Sequence, residues 1–171
     1  MKLADRQLTR AWLVAFGAAL LSLAQLGCQP IATGNRLTVA SAGKISSLDP
    51  AQASTVNTIQ LLSALGDPLY SLDGNGELIP RLAEASPIVS PDGLTVTIPL
   101  RRDVLFHDGT RFDAEAMAFS LRRFLEIGTL SYVVGGRIRS VEVAADHQLV
   151  LRLSRPSTSL EGLLTSVNLT P

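Results

Sequence analysis

The fold class of this chain is determined mainly by residues 65–124, LGDPLYSLDGNGELIPRLAEASPIVSPDGLTVTIPLRRDVLFHDGTRFDAEAMAFSLRRF. Asp-Gly pairs at 73–74, 92–93 and 108–109 predict three tight turns, because glycine readily adopts the positive φ that such reversals require. Residues 94–100 alternate apolar side chains with Thr or Pro, which predicts a strand with one buried face. Turns spaced this closely favour antiparallel strands.

A capped helix follows the third turn. Asp113 is the predicted N-cap of a helix over residues 114–126, and Gly128 ends it. Apolar side chains recur along one face of this helix, which predicts a buried stripe. The stripe consists of Met117, Leu121, Phe124 and Leu125.

The flanking sequence predicts further elements of both kinds. A helix over 54–65, capped by Ser54 or Thr55, would bury Val56, Ile59, Leu62 and Leu65. Strands are expected at 37–42 and 69–72, a helical turn at 82–85, a hairpin at 138–143 and 149–153, and a last helix at 158–167. This order predicts an α+β fold with a mixed, mostly antiparallel sheet and packed helices.

The N-terminus has the pattern of a secretory signal. Lys2, Arg6 and Arg10 precede the uncharged residues 11–27, AWLVAFGAALLSLAQLG. A retained membrane anchor is the alternative, although 17 residues fall short of the roughly 20 needed to span a bilayer. Cys28, the only cysteine, follows directly and resembles the lipidated cysteine of bacterial lipoproteins, while Gln25 and Leu26 depart from the usual motif. A free thiol is the alternative. We therefore expect a lipoprotein signal peptide at 1–27 and a tether at 28–36.

Charge and composition exclude some function classes. The chain has 171 residues, 46% of them hydrophobic, with 15 basic and 15 acidic side chains. Three of the basic and one of the acidic residues lie in the predicted signal, so residues 28–171 carry a net charge of −2. This balance provides no electrostatic surface for nucleic acid.

The sequence contains no convincing catalytic or metal-binding pattern. His107 and Asp108 are adjacent, but the pair Asp108-Gly109 is typical of a tight turn. In addition, neighbouring residues on an extended segment point to opposite faces. His107 and His147 are the only histidines, whereas a metal site needs three or four convergent ligands. We therefore expect no enzyme activity, no metal and no cofactor; a hydrolase dependent on His107 is the weakest alternative.

A set of ordered motifs resembles the bacterial extracellular solute-binding proteins of family 5, the peptide- and nickel-binding subunits of ABC importers. The motifs are Leu48-Asp49-Pro50, Leu69-Tyr70, Pro80-Arg81-Leu82-Ala83-Glu84, Asp92-Gly93, Leu100-Arg101 and Phe106-His107-Asp108-Gly109-Thr110. The resemblance covers about residues 36–170. It implies the two-lobed fold of type II periplasmic binding proteins, in which a hinge encloses ligand between the lobes.

The resemblance also implies a function and a location. It implies that residues 37–171 are the truncated N-terminal part of the solute-binding domain, a first strand plus most of an inserted α+β subdomain. The chain would capture an oligopeptide or dipeptide and deliver it to ABC permease subunits, from the periplasm or cell surface, held by its lipid anchor. The alternative is a truncated structural or interaction lipoprotein that transports nothing.

The ligand-contacting residues implied by the resemblance are Ser54, Thr55 and Val56. In peptide-binding relatives the segment after the Leu-Asp-Pro motif borders the cleft and meets ligand mainly through backbone groups. The alternative for Ser54 or Thr55 is a plain helix cap. The arginine pairs 101–102 and 122–123 are expected to be solvated or to contact neighbouring domains.

Overall fold

The computed structural model describes residues 37–134, 136–158 and 160–171. Residues 41–171 form one compact unit, and residues 37–40 belong to a separate N-terminal unit in which they are exposed and carry no helix or strand. The predicted signal, the tether and Cys28 lie outside the described residues. None of the helices described is long and apolar enough to cross a membrane.

The described helices are one long helix and two short ones. α1 spans Val56–Leu62, α2 spans Ala114–Ile127 and α3 spans Leu160–Leu164. Single 3-10 turns lie at Pro50–Gln52, Ser131–Val133 and Val167–Leu169. As predicted for α2, the Asp113 carboxylate accepts the hydrogen bond from the Ala116 amide, and Gly128 lies directly after the helix.

The six described strands form two sheets, and every strand pair in them is antiparallel. They are β1 (Tyr70–Leu72), β2 (Leu78–Pro80), β3 (Ile88–Val89), β4 (Thr95–Pro99), β5 (Ile138–Ala145) and β6 (Gln148–Leu153). β1 and β2 form a two-stranded hairpin, and the other strands lie in the order β3-β4-β6-β5. The predicted α+β class with a mostly antiparallel sheet is confirmed.

The core lies between α2 and one face of the four-stranded sheet. Val96 on β4 pairs with Leu151 on β6, and Ile98 pairs with Leu149, so alternate residues of both strands point to the same face. These side chains are buried together with the stripe of α2. Met117, Leu121 and Phe124 are buried as predicted, whereas Leu125 is only partly buried. β4 ends at Pro99, which has no amide hydrogen to donate, and this agrees with the predicted end of the strand.

Three predictions about local structure are wrong. Residues 37–42 form no strand among the described residues, since an alternating pattern alone supplies no ladder partner. No helical turn forms at 82–85, because Ala83 instead bridges Leu100 in an antiparallel pairing. α1 is shorter than predicted, and Val56 and Leu65 are exposed while Thr58 is buried.

Two further differences concern ends and edges. The last predicted helix, 158–167, is reduced to α3 followed by the 3-10 turn. β3 was not predicted from the sequence, because it has only two residues and both are exposed at the edge of the sheet. Such a strand exists only through its pairing with β4.

Candidate functional site

The Leu-Asp-Pro motif folds into a capped turn just before the predicted ligand-contacting residues. The Ser47 hydroxyl accepts a hydrogen bond from the Asp49 amide at 3.0 Å. The Asp49 carboxylate in turn accepts from the Ala51 amide at 3.1 Å and caps the 3-10 turn that starts at Pro50. Proline suits this first position, because its φ is already helical and it needs no amide partner.

An ion pair holds this turn against α2. The Arg123 guanidinium donates to both carboxylate oxygens of Asp49, with Nη1 2.6 Å from Oδ1. Only about a quarter of the Asp49 side chain and a third of the Arg123 side chain are exposed. These hydrogen bonds hold the pKa of Asp49 below its ordinary value. The stability that the pair contributes is therefore present above the ordinary carboxyl pKa, and is lost as pH falls through the lower folded-state value.

Two more residues bind the backbone of the same turn. Asn168, which is buried, donates from Nδ2 to the carbonyl oxygens of Pro50 at 2.8 Å and Ala53 at 2.9 Å. The amide of Thr129 donates to the Ala51 carbonyl at 3.0 Å. Three successive parts of the turn are thus fixed by residues that lie far along the chain.

Thr55 is the N-cap of α1, which confirms one of the two predicted caps. Its hydroxyl accepts from the Thr58 amide at 3.3 Å and donates to the Thr58 hydroxyl at 2.9 Å. Thr58 is fully buried, and its hydroxyl also accepts from the Ser46 amide at 3.1 Å. The Thr55 hydroxyl therefore has a structural role at the start of the helix.

Ser54 and Val56 lie on the outer surface on either side of this cap. The Val56 side chain is 70% exposed, and Ser54 is also exposed. Within the described part of the chain, no backbone hydrogen bond engages the amide or the carbonyl of Ser54. The segment can therefore offer an unpaired peptide group and an apolar contact to an extended ligand, as strand-like recognition requires.

The histidine region lacks the arrangement of a catalytic pair. Asp108 accepts hydrogen bonds from the amide of Thr110 at 2.9 Å and from its hydroxyl at 2.7 Å. These bonds lower the pKa of Asp108 and stabilise the predicted turn. His107 is exposed, and His147 lies between β5 and β6. In the described ranges, no three His, Cys, Asp or Glu side chains converge as a metal site would require.

The predicted role of the second arginine pair is wrong. Arg123 binds Asp49, and Arg122 donates to the Val141 carbonyl on β5 at 2.9 Å and 3.2 Å. Both arginines thus stabilise contacts within the described unit. Arg101 pairs with the exposed neighbour Asp103 at 2.8 Å, in agreement with the predicted solvated position.

Sequence reasoning missed Arg123 and Asn168 as residues that shape the candidate site. Arg123 lies 74 residues from Asp49, and Asn168 lies 118 residues from Pro50. Neither distance leaves a local pattern in the sequence. The Leu-Asp-Pro motif was the only available signal, and it identified the turn without its partners.

Comparison with known proteins identifies the family. The profile of the bacterial extracellular solute-binding proteins, family 5 (middle region), matches residues 77–171. The glutathione-binding protein GsiB of Salmonella paratyphi A is 34% identical over 116 residues, which are 68% of this chain and 22% of that protein. A probable peptide ABC transporter periplasmic-binding protein, y4tO, of Sinorhizobium fredii is 28% identical over 165 residues, which are 96% of this chain and 30% of that protein.

Solved structures agree with the fold. Listeria monocytogenes OppA bound to peptide superposes with a TM-score of 0.71 at 23% identity, covering 77% of this chain and 29% of that one. At that identity the likeness shows the fold alone. The chain spans roughly a quarter of the length of the relatives that it matches. With more than half of its residues matched by the family profile, the chain belongs to the bacterial extracellular solute-binding proteins of family 5.

Proposed function

We propose that the chain is the N-terminal part of the solute-capturing component of an ABC importer for short peptides. The observation that carries this proposal is its membership of family 5, together with relatives named for glutathione, itself a short peptide, and for peptides. The component would capture its solute without changing it chemically and pass it to the permease subunits. The Asp108 turn and the solvated His107 support a role without catalysis.

Within this proposal, Ser54, Thr55 and Val56 form the part of the ligand contact that this chain supplies. Support comes from the anchored turn before them, the peptide groups of Ser54, which no backbone hydrogen bond engages among the described residues, and the exposed side chain of Val56. Thr55 would contribute through its backbone, because its hydroxyl caps α1. Residues 37–171 would form part of the binding domain in which this segment borders the cleft.

The test is identification of the solute that accompanies the protein made from its native gene. Gentle purification, denaturation and mass spectrometry of the released small molecules should recover di- to pentapeptides. Isothermal titration with those peptides should then show binding that Val56→Asp weakens, because a charge replaces an apolar contact. Val89→Asp, which changes an exposed valine on β3, is the matched control and should bind normally.

Other results would reject the proposal. Recovery of a sugar or a metal chelate in place of a peptide would contradict the solute class, and turnover of the bound peptide would contradict non-catalytic capture. The 171-residue chain alone should give no measurable heat with the same peptides, since a two-lobed clamp needs its second lobe. Micromolar binding by the chain alone would contradict that requirement.

We also propose that Cys28 anchors the protein to the membrane through lipid, after a signal at 1–27 and before a tether at 28–36. Support comes from the basic residues, the apolar run and the single cysteine that follows it. Two or more acyl chains on this residue would hold the protein stably, whereas one would not. Cells fed an alkyne fatty acid should label the protein, and Cys28→Ala should abolish the label. Undiminished labelling of Cys28→Ala would contradict the proposal.

A further inference from the structure

The Asp49 carboxylate has two roles at once, and this makes Arg123 important for the shape of the candidate site. One role is local, because Asp49 caps the 3-10 turn through the Ala51 amide. The other is long-range, because both carboxylate oxygens accept from Arg123. A guanidinium that binds both oxygens fixes the orientation of the carboxylate plane as well as its position. Arg123 therefore controls the orientation of the cap.

Arg123 itself projects from a rigid element. Its neighbours in α2, Leu121 and Phe124, are buried in the main core. Partly exposed arginine side chains normally sample many rotamers, and the paired carboxylate removes much of that freedom. The ion pair thus connects α2 to the Asp49 cap of the turn at Pro50–Gln52, in addition to the backbone hydrogen bonds that Asn168 and Thr129 make to the same turn.

The turn held by the Arg123–Asp49 ion pair lies directly before the predicted ligand-contacting residues. Only Ala53, Ser54 and Thr55 separate the end of the turn from the start of α1. Ala53 is fully buried with its carbonyl bound by Asn168, and Thr55 is held as the cap of α1. Ser54 therefore lies between two hydrogen-bonded residues, so a shift of the turn would also shift its peptide groups.

We propose that Arg123 is a positioning residue, which acts through Asp49 to hold Ser54–Val56 in one orientation for the solute. The effect of this orientation on solute binding rests on the proposed function, whereas the effect of Arg123 on the order of Ser54–Val56 does not. Arg122, the adjacent arginine, binds the Val141 carbonyl and lies 3.7 Å from Glu115, so it makes no contact with the turn. Arg122→Gln is therefore the matched control for Arg123→Gln.

The first experiment measures backbone order in the chain without solute. NMR order parameters for the amides of Ser54 and Val56 are expected near 0.85 in the wild type and below about 0.6 in Arg123→Gln. Amides of β4 and β6 should be unchanged, as should all of these values in Arg122→Gln. Arg123→Lys keeps the charge but loses the two-pronged contact, so its order parameters should be intermediate.

This readout separates positioning from plain stability. If Arg123 contributes only to global stability, Arg123→Gln will lower the urea midpoint but leave the order parameters of Ser54 and Val56 at their wild-type values. That result would overturn the proposal, and so would an equal loss of order throughout β4 and β6. Arg123→Lys provides the same comparison if Arg123→Gln does not fold.

A second measurement addresses the solute. In the protein made from its native gene, Arg123→Gln should weaken binding of the copurified peptide by roughly tenfold, the factor that corresponds to 1.4 kcal/mol. Arg122→Gln should bind like the wild type. Failure to find any peptide would contradict the proposed function and leave the order-parameter result intact. Unchanged affinity of Arg123→Gln for a peptide that does bind would overturn positioning alone.

Discussion

Replacing Leu121 by alanine is expected to lower the free energy of unfolding by about 2–5 kcal/mol, the usual cost of removing a buried leucine side chain. Leu121 is fully buried in the middle of the α2 stripe and belongs to the cluster that joins α2 to the four-stranded sheet. The cavity left by the substitution would lie between two rigid layers, which limits its collapse. Urea unfolding followed by far-UV circular dichroism measures the change.

Phe119→Ala is the matched control on the same helix. Phe119 is 67% exposed on the opposite side of α2, so its removal should change stability by no more than about 0.5 kcal/mol. A loss below about 1 kcal/mol in Leu121→Ala would contradict the packing described here. So would equal losses in the two variants, because the helix would then have no buried face.

Asn168→Asp is expected to lower the free energy of unfolding by about 1–3 kcal/mol, since the buried Ala53 carbonyl would lose its donor and the Pro50 carbonyl would keep only the Ala53 amide. Asn168 supplies both donors from one amide group, to Pro50 and Ala53. An ionised carboxylate of the same shape has no donor and faces both carbonyl oxygens. Burial would raise the pKa of the new carboxyl in the folded state.

The sign of the pH dependence follows from that raised pKa. The ionised form is disfavoured in the folded protein, so the deficit is largest above the folded-state pKa and shrinks as pH falls below it. Urea unfolding at about pH 7 and about pH 4, compared with the wild type at each pH, measures this difference. A deficit that is equal at both pH values would contradict the buried contact.

Asn57→Asp is the control for the same chemical change at another position. Asn57 lies in the first turn of α1, where its Oδ1 accepts from the Ser41 hydroxyl at 3.3 Å. A carboxylate keeps this acceptor, and a negative charge near a helix N-terminus is favourable. Its effect should stay within about 0.5 kcal/mol at both pH values.

The elements that the sequence predicted best are those with both ends marked locally. Helix α2 begins after Asp113 and ends before Gly128, in agreement with the prediction to within one residue. The hairpin of β5 and β6 also formed at the predicted positions. Caps, turns and periodic burial depend on groups only a few residues apart, so a short stretch of sequence is enough to predict these elements.

The elements that the sequence predicted poorly depend on distant partners. Residues 37–42 have the alternation of a strand but no ladder partner among the described residues. β3 has exposed side chains and forms only because β4 lies beside it. In α1, Thr58 is buried in place of Val56, because its hydroxyl bonds Thr55 and Ser46. Periodicity predicts that a helix has faces, but not which face meets the rest of the protein.

The sequence by itself determined the α+β class, the turns, the cap of α2 and the motifs of family 5. It also identified the Leu-Asp-Pro turn as the place to seek a ligand contact. Only the tertiary structure decided what holds that turn, because Arg123 and Asn168 reach it across 74 and 118 residues of chain. Capping bonds are local and leave a sequence pattern, whereas an ion pair between distant elements exists only after the core has brought those elements together.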